Sequence, residues 1–131
     1  MSAHQVLVEA VRAVLGAGPE LELNGVFDAP PARGVRPYVI IEDAVLVDWS
    51  TKDMAGREGR LAVGLFETGE DRVWLRARTD QITNAIAELP RELGEGWRIV
   101  SLAFLRSRIA GEGSGLSMAV IEFRVRMLQA N

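Results

Sequence analysis

Ser50 and Thr51 are hydroxyls set in a polar stretch, residues 48–59. A serine or threonine nucleophile needs a base beside it. The single histidine, His4, lies far away at the start of the chain, so nucleophilic catalysis has no activating partner in the sequence. Glu42, Asp43, Asp48 and Asp53 carry the oxygen ligands that a hard divalent cation takes, but without the loop spacing of a calcium site. The run Gly111-Glu112-Gly113-Ser114-Gly115 lacks the lysine and the strand–loop–helix setting of a phosphate-binding loop and reads as a hairpin tip. There are no cysteines, which excludes disulfides, thiol catalysis and Cys-ligated metals, and one histidine excludes a multi-histidine metal site. The reading is therefore of a protein that is not an enzyme and takes no cofactor or metal.

What remains is contact. The chain has 131 residues, of which 48% are hydrophobic and 25% charged. That is ordinary globular composition for one domain, residues 1–131, able to bury roughly two thirds of its unfolded surface. No apolar run reaches the roughly 18 residues of a membrane span, and the first residues lack the basic start and apolar core of a signal peptide. A net charge of −3 argues against a general nucleic-acid binder. The charge is uneven: residues 1–71 hold 6 basic and 12 acidic side chains, residues 72–131 hold 9 and 6. Fourteen of the 15 basic residues are Arg, the side chain that makes forked contacts to carboxylates across interfaces; the other is Lys52. The pattern reads as a solvated surface with a compositional bias toward Arg, or as the complementary faces of a subunit that docks on copies of itself.

The elements that must carry these residues follow from periodicity. Ala3, Val6, Leu7, Ala10, Val11, Val14 and Leu15 make one apolar stripe, so 3–15 is a helix capped by Ser2 and stopped by Gly16, Gly18 and Pro19. Val26-Phe27 is a short strand, followed by a turn stiffened by Pro30 and Pro31. The β-branched run 38–47 is one strand, 48–59 a long hairpin loop, and 60–67 the return strand with Leu61, Val63 and Leu65 on one face. A second helix spans 70–93, with Thr68 or Asp71 as its cap, Glu70 and Asp71 at the positive end of its dipole, and Leu75, Ile82, Ile86, Leu89 and Leu93 facing the core; Pro90 frays its last turn. Strands at 97–109 and 116–128 follow, joined by the flexible tip 110–115. In the last strand Ala119, Ile121, Phe123, Val125 and Met127 share one face, while Val120, Glu122, Arg124 and Arg126 share the other. The expected fold is α+β, in the order α-β-β-β-α-β-β, with a mostly antiparallel four- to five-stranded sheet and two helices packed on one face.

Three tryptophans bear on contact. Trp97, at a strand start, belongs to the core. Trp49, at the base of the long loop, locks that loop or anchors an interface, and Trp74 stands in the first turn of the second helix.

The string Tyr38-Val-Ile-Ile-Glu-Asp, then Asp48-Trp49-Ser50-Thr51-Lys52-Asp53 and Gly56-Arg57-Glu58, resembles the tail-completion or tail-terminator proteins of long-tailed phages. So does the opening helix followed by Val26-Phe27-Asp28-Ala29-Pro30-Pro31 and Pro37-Tyr38. The resemblance is nearest to the version found in gene transfer agents and covers most of the chain. It implies an α+β subunit of a hexameric ring that caps the head-proximal end of the tail tube. Its partners would be further copies of itself, the tail tube protein and a head–tail connector or stopper, in a particle assembled in the cytoplasm. DNA would pass through the ring without specific binding, and no membrane would be involved. By that analogy the loop 48–60 contacts a neighbour, the tube or the channel, and the hairpin 109–116 contacts a neighbour or the tube. The expected interface residues are Trp49, Lys52, Asp53, Arg57 and Glu58 in the loop, with Arg124 and Arg126 on the polar sheet face. The alternatives are another neck component, such as a connector or stopper, and a small-ligand-binding domain.

Overall fold

A computed structural model describes residues 2–18, 21–69 and 72–130. The apolar stripe near the N-terminus folds as α1 (Ala3–Gly16). The Ser2 hydroxyl accepts a hydrogen bond from the Gln5 N–H at 3.1 Å, satisfying one of the first-turn donors that have no partner within the helix. Ala3, Val6, Leu7, Val8, Val11 and Leu15 are buried. Gly16 closes the helix from inside rather than from beyond its end. Pro19, Glu70 and Asp71 lie outside the described residues, and with them the stop and the helix start expected there.

β1 (Val26–Phe27) pairs in parallel with β2 (Tyr38–Ile41), and every other pairing in the sheet is antiparallel. The run 38–47, expected as one strand, is two: β2 and β3 (Val45–Asp48). Both lie on the same side of β4 (Ala55–Thr68), β2 against Val63–Phe66 and β3 against Arg57–Arg60. Ile41 stands opposite Val63 and Val45 opposite Arg60. Three residues, Glu42 to Ala44, therefore oppose two, Leu61 and Ala62. One extra residue reverses the inward–outward alternation of everything after it. Val39 and Ile41 point into the core, whereas Val45 and Val47, of the same parity, are 70% and 58% exposed.

The hairpin loop is correspondingly shorter than expected. Pairing runs to Asp48 and resumes at Ala55, so Gly56, Arg57, Glu58 and Gly59 belong to β4. The two glycines that signal a loop in the sequence serve a close approach instead. A Cβ on Gly59 would stand 1.7 Å from the Val45 carbonyl oxygen, and one on Gly56 would stand 2.4 Å from that of Trp49.

α2 (Arg72–Ala87) buries Leu75, Arg78, Thr79, Ile82 and Ile86. It ends six residues before the expected Leu93. Glu88 and Leu89 donate to the carbonyls of Ala85 and Ile86 in a tightened last turn, and Pro90 cannot continue it. Leu89 is still buried, and residues 91–93 run alongside the start of the next strand, with the Leu93 N–H donating to the Trp97 carbonyl at 2.8 Å.

β5 (Trp97–Gly113) and β6 (Leu116–Gln129) form a long hairpin whose tip is only Ser114–Gly115; the flexible connector expected from 110 is in fact paired up to Gly113. Positive φ at Gly113, Ser114 and Gly115 makes that tight reversal. The sheet order is β1-β2-β4-β6-β5, with β3 on β4, giving six strands; the count exceeds expectation because 38–47 is divided. α2 lies across β5 and β6, and α1 packs on α2, β1 and β2, so both helices cover one face. Val39, Ile41, Leu61, Val63, Leu65, Ile121, Phe123, Val125 and Met127 fill the layer between sheet and helices. The α+β class, the mostly antiparallel sheet and the one-sided helical cover are as the sequence indicates.

Candidate functional site

The hairpin between β3 and β4 orders itself with its own polar groups. Asp48 Oδ1 accepts from the Ser50 hydroxyl at 2.5 Å and from the Ser50 N–H at 3.3 Å. The Ser50 hydroxyl accepts from the Gly56 N–H at 3.0 Å. Thr51 Oγ1 accepts from the N–H groups of Asp53 and Met54, and the Thr51 N–H donates to the Met54 carbonyl at 2.9 Å. The two hydroxyls considered as nucleophiles are thus turn-forming groups of the Asx and Ser/Thr kind. The Ser50 side chain, then the Ser50 backbone N–H, and then the Arg57 charge hold the Asp48 carboxyl below its ordinary value of 3.8, against the opposing effect of burial.

Arg57 and Glu58 diverge because successive residues of a strand face opposite ways. Arg57 turns to the helix-bearing face. It lies over the buried Trp97 ring at 5.8 Å, donates to the Gly56 carbonyl at 2.7 Å and stands 3.6 Å from Asp48 Oδ1. Glu58 turns to the open face and accepts from Arg126 Nε at 3.0 Å. The Arg126 guanidinium also lies 5.3 Å from the centroid of the Trp49 ring. Trp49, Glu58 and Arg126, far apart in sequence, therefore form one cluster that ties the hairpin base to β6. Lys52 and Asp53 are exposed at the hairpin tip. Arg124 is exposed one step along the open face, directly opposite Arg60 on β4. Neither Arg60 nor Arg124 has a carboxylate within ion-pair distance among the described residues. Farther out, Arg106 on β5 is paired with Glu122 at 2.7 Å.

The remaining candidates are structural. His4 Nε2 is 2.9 Å from the Ala44 carbonyl and joins α1 to the β2–β3 step. Trp97 is buried, as expected, whereas Trp74 is 62% exposed. Among the described residues no three His, Cys, Asp or Glu side chains converge as metal ligands.

Two polar centres escaped the sequence reading. Arg78, buried on α2, donates from Nε to Glu67 Oε2 at 3.0 Å and from a terminal nitrogen to the Leu21 carbonyl. Arg36 donates to the Glu67 carbonyl at 3.1 Å and to Glu112 at 2.6 Å, and lies over the stacked rings of Tyr38 and Phe66. The signal for Arg78 was its position: three after Leu75 and four before Ile82, it lies on the buried stripe of its helix.

The arrangement sets side by side a self-braced hairpin, an open sheet face and, among the described residues, two arginines without a carboxylate partner. No curated protein matches the chain. A solved chain from the virion of a native gene transfer agent particle superposes on it with a TM-score of 0.81 at 25% identity, covering 98% of this chain and 99% of that one. The family model for tail completion protein gp17 matches residues 6–128. Nearly the whole fold, hairpin and open face included, falls within that match, and the chain belongs to the tail completion protein gp17 family, as a structural protein of a phage-type tail.

Proposed function

We propose that this chain is the tail terminator of a phage or gene transfer agent particle. Copies close into a ring, a hexamer by the resemblance, that caps the head-proximal end of the tail tube, halts its growth and presents the surface that joins the head. DNA passes through the ring without being held. The observation that carries this reading is the end-to-end likeness to a chain of a gene transfer agent virion. An open sheet face on which Arg60 and Arg124 have no carboxylate partner among the described residues supports it, since unmatched charges there suit a partner of complementary charge. Within the surface, Trp49, Lys52, Asp53, Glu58, Arg124 and Arg126 meet a neighbour or the tube. Arg57 contributes by bracing the hairpin from the other side.

The test is electron microscopy of particles from cells lacking the protein. Separate filled heads beside tubes of abnormal length are expected. Tubes of normal length that fail to join, with the protein bound to the head before any tube exists, would make it a connector or stopper instead. Particles indistinguishable from wild type would overturn the reading.

A further inference from the structure

A ring of identical subunits needs two different surfaces on each, one fitting the other. The strand order ends at β1 and β5, and β3 forms a second edge on the β1 side of β4, so β3 and β5 lie on opposite sides of the sheet. Among the described residues β3 pairs with β4 alone, so its outer edge is open. β5 pairs only with β6. Its first residues are covered by segment 91–93, with the Ile99 N–H donating to the Arg91 carbonyl at 2.8 Å, and from Val100 onward its outer edge is open among the described residues.

Both edges carry what free edges normally suppress. Val45 and Val47 on β3 are 70% and 58% exposed, and Val100 and Leu105 on β5 are each 40% exposed. The two β5 residues are the extra residues at its register shifts opposite β6, so neither side chain is taken up by the regular alternation of the sheet. The charges around the two edges are opposite. Exposed Glu42 and Asp43 lead into β3, whereas on β5 exposed Arg108 follows Leu105, with Arg106 between them already paired with Glu122.

We infer that β3 of one copy packs against the β5 edge of the next, with Val45 and Val47 covering Val100 and Leu105, and Glu42 and Asp43 meeting Arg108. The contact is heterologous, so it repeats around a ring without using either edge twice. This rests on the ring reading above and names the surfaces that close the ring.

The chain has no cysteine, so introduced thiols report cleanly. Val47→Cys is combined with Leu105→Cys, and separately with Val100→Cys, and treated with a short bis-maleimide, both in assembled particles and with the purified chain at high concentration. Covalent ladders beyond the dimer are expected from the double variants and not from any single one. Arg108→Glu should reduce the ladder about tenfold, and adding Asp43→Arg should restore it, as a charge pair across an interface requires. Dimers from Val47→Cys alone would overturn the inference in favour of a two-fold contact. So would the absence of a ladder in both settings. A ladder from the concentrated chain keeps the edge contact even if deletion particles prove normal, so the two readings fail separately.

Discussion

Arg60 and Arg124 stand directly opposite each other across β4 and β6, and neither has a carboxylate partner among the described residues. Like charges facing each other on a sheet are destabilising, whereas opposite charges there contribute roughly 0.2–1 kcal/mol. Replacement Arg124→Glu should therefore raise the stability of the isolated chain by up to about 1 kcal/mol in urea unfolding. The same variant should lower the yield of complete particles in a complementation assay. A variant that is both more stable and fully assembling would take the open face out of the contact surface.

The Glu67–Arg78 pair has about a tenth of each side chain exposed and holds α2 to β4 and to the backbone at Leu21. Removing one partner leaves the other buried without compensation, at a cost of about 3–5 kcal/mol. Arg78→Met should lose stability on that scale by chemical denaturation. Adding Glu67→Gln should recover part of it, because a neutral amide is cheaper to bury than a lone carboxylate.

Gly59 admits the β3 backbone to β4 at a distance no side chain permits. Gly59→Ala should cost about 1–3 kcal/mol through overpacking. The loss should be local. Amide exchange is expected to accelerate at Val45–Asp48 while the amides of β6 stay protected.

Asp48 carries a pH signature. Its carboxyl is held below 3.8 in the folded chain, so its contribution is complete above that value and is lost as pH falls through the lower, folded value. NMR titration of Asp48 should give a midpoint below 3.8, and Ser50→Ala should move it up, because the Ser50 hydroxyl is the largest cause. A midpoint unchanged by Ser50→Ala would mean that the hairpin is not braced as described.

Much of this fold is legible in the sequence where one rule decides it. Alternation along Ala119 to Met127 identifies β6 and its buried face because that strand is regular along its whole pairing with β4. Residues 38–47 mislead because strand-forming residues, Val39–Ile41 and Val45–Val47, stand on both sides of Glu42–Ala44 while the chain gains one residue there against β4, so parity carries no warning that Val45 and Val47 face outward. Gly56 and Gly59 read as loop because a glycine that admits a neighbouring backbone is indistinguishable, in one sequence, from one that frees a turn. The site was visible in part. Trp49, Glu58 and Arg126 were singled out for their types and do converge, but the grip of Arg126 on both the others depends on the register of β4 against β6, which no local pattern specifies. Glu67 and Arg78 needed that long-range information too.

The strand order also governs when the molecule becomes usable. β6 is made last, yet it sits between β4 and β5 and is the only strand that joins them. Until it is inserted, the half bearing β3 and the half bearing β5 have no sheet in common. A chain interrupted before β6 therefore cannot hold both edges at a fixed spacing. In the ring proposed above, the topology itself would keep unfinished subunits out.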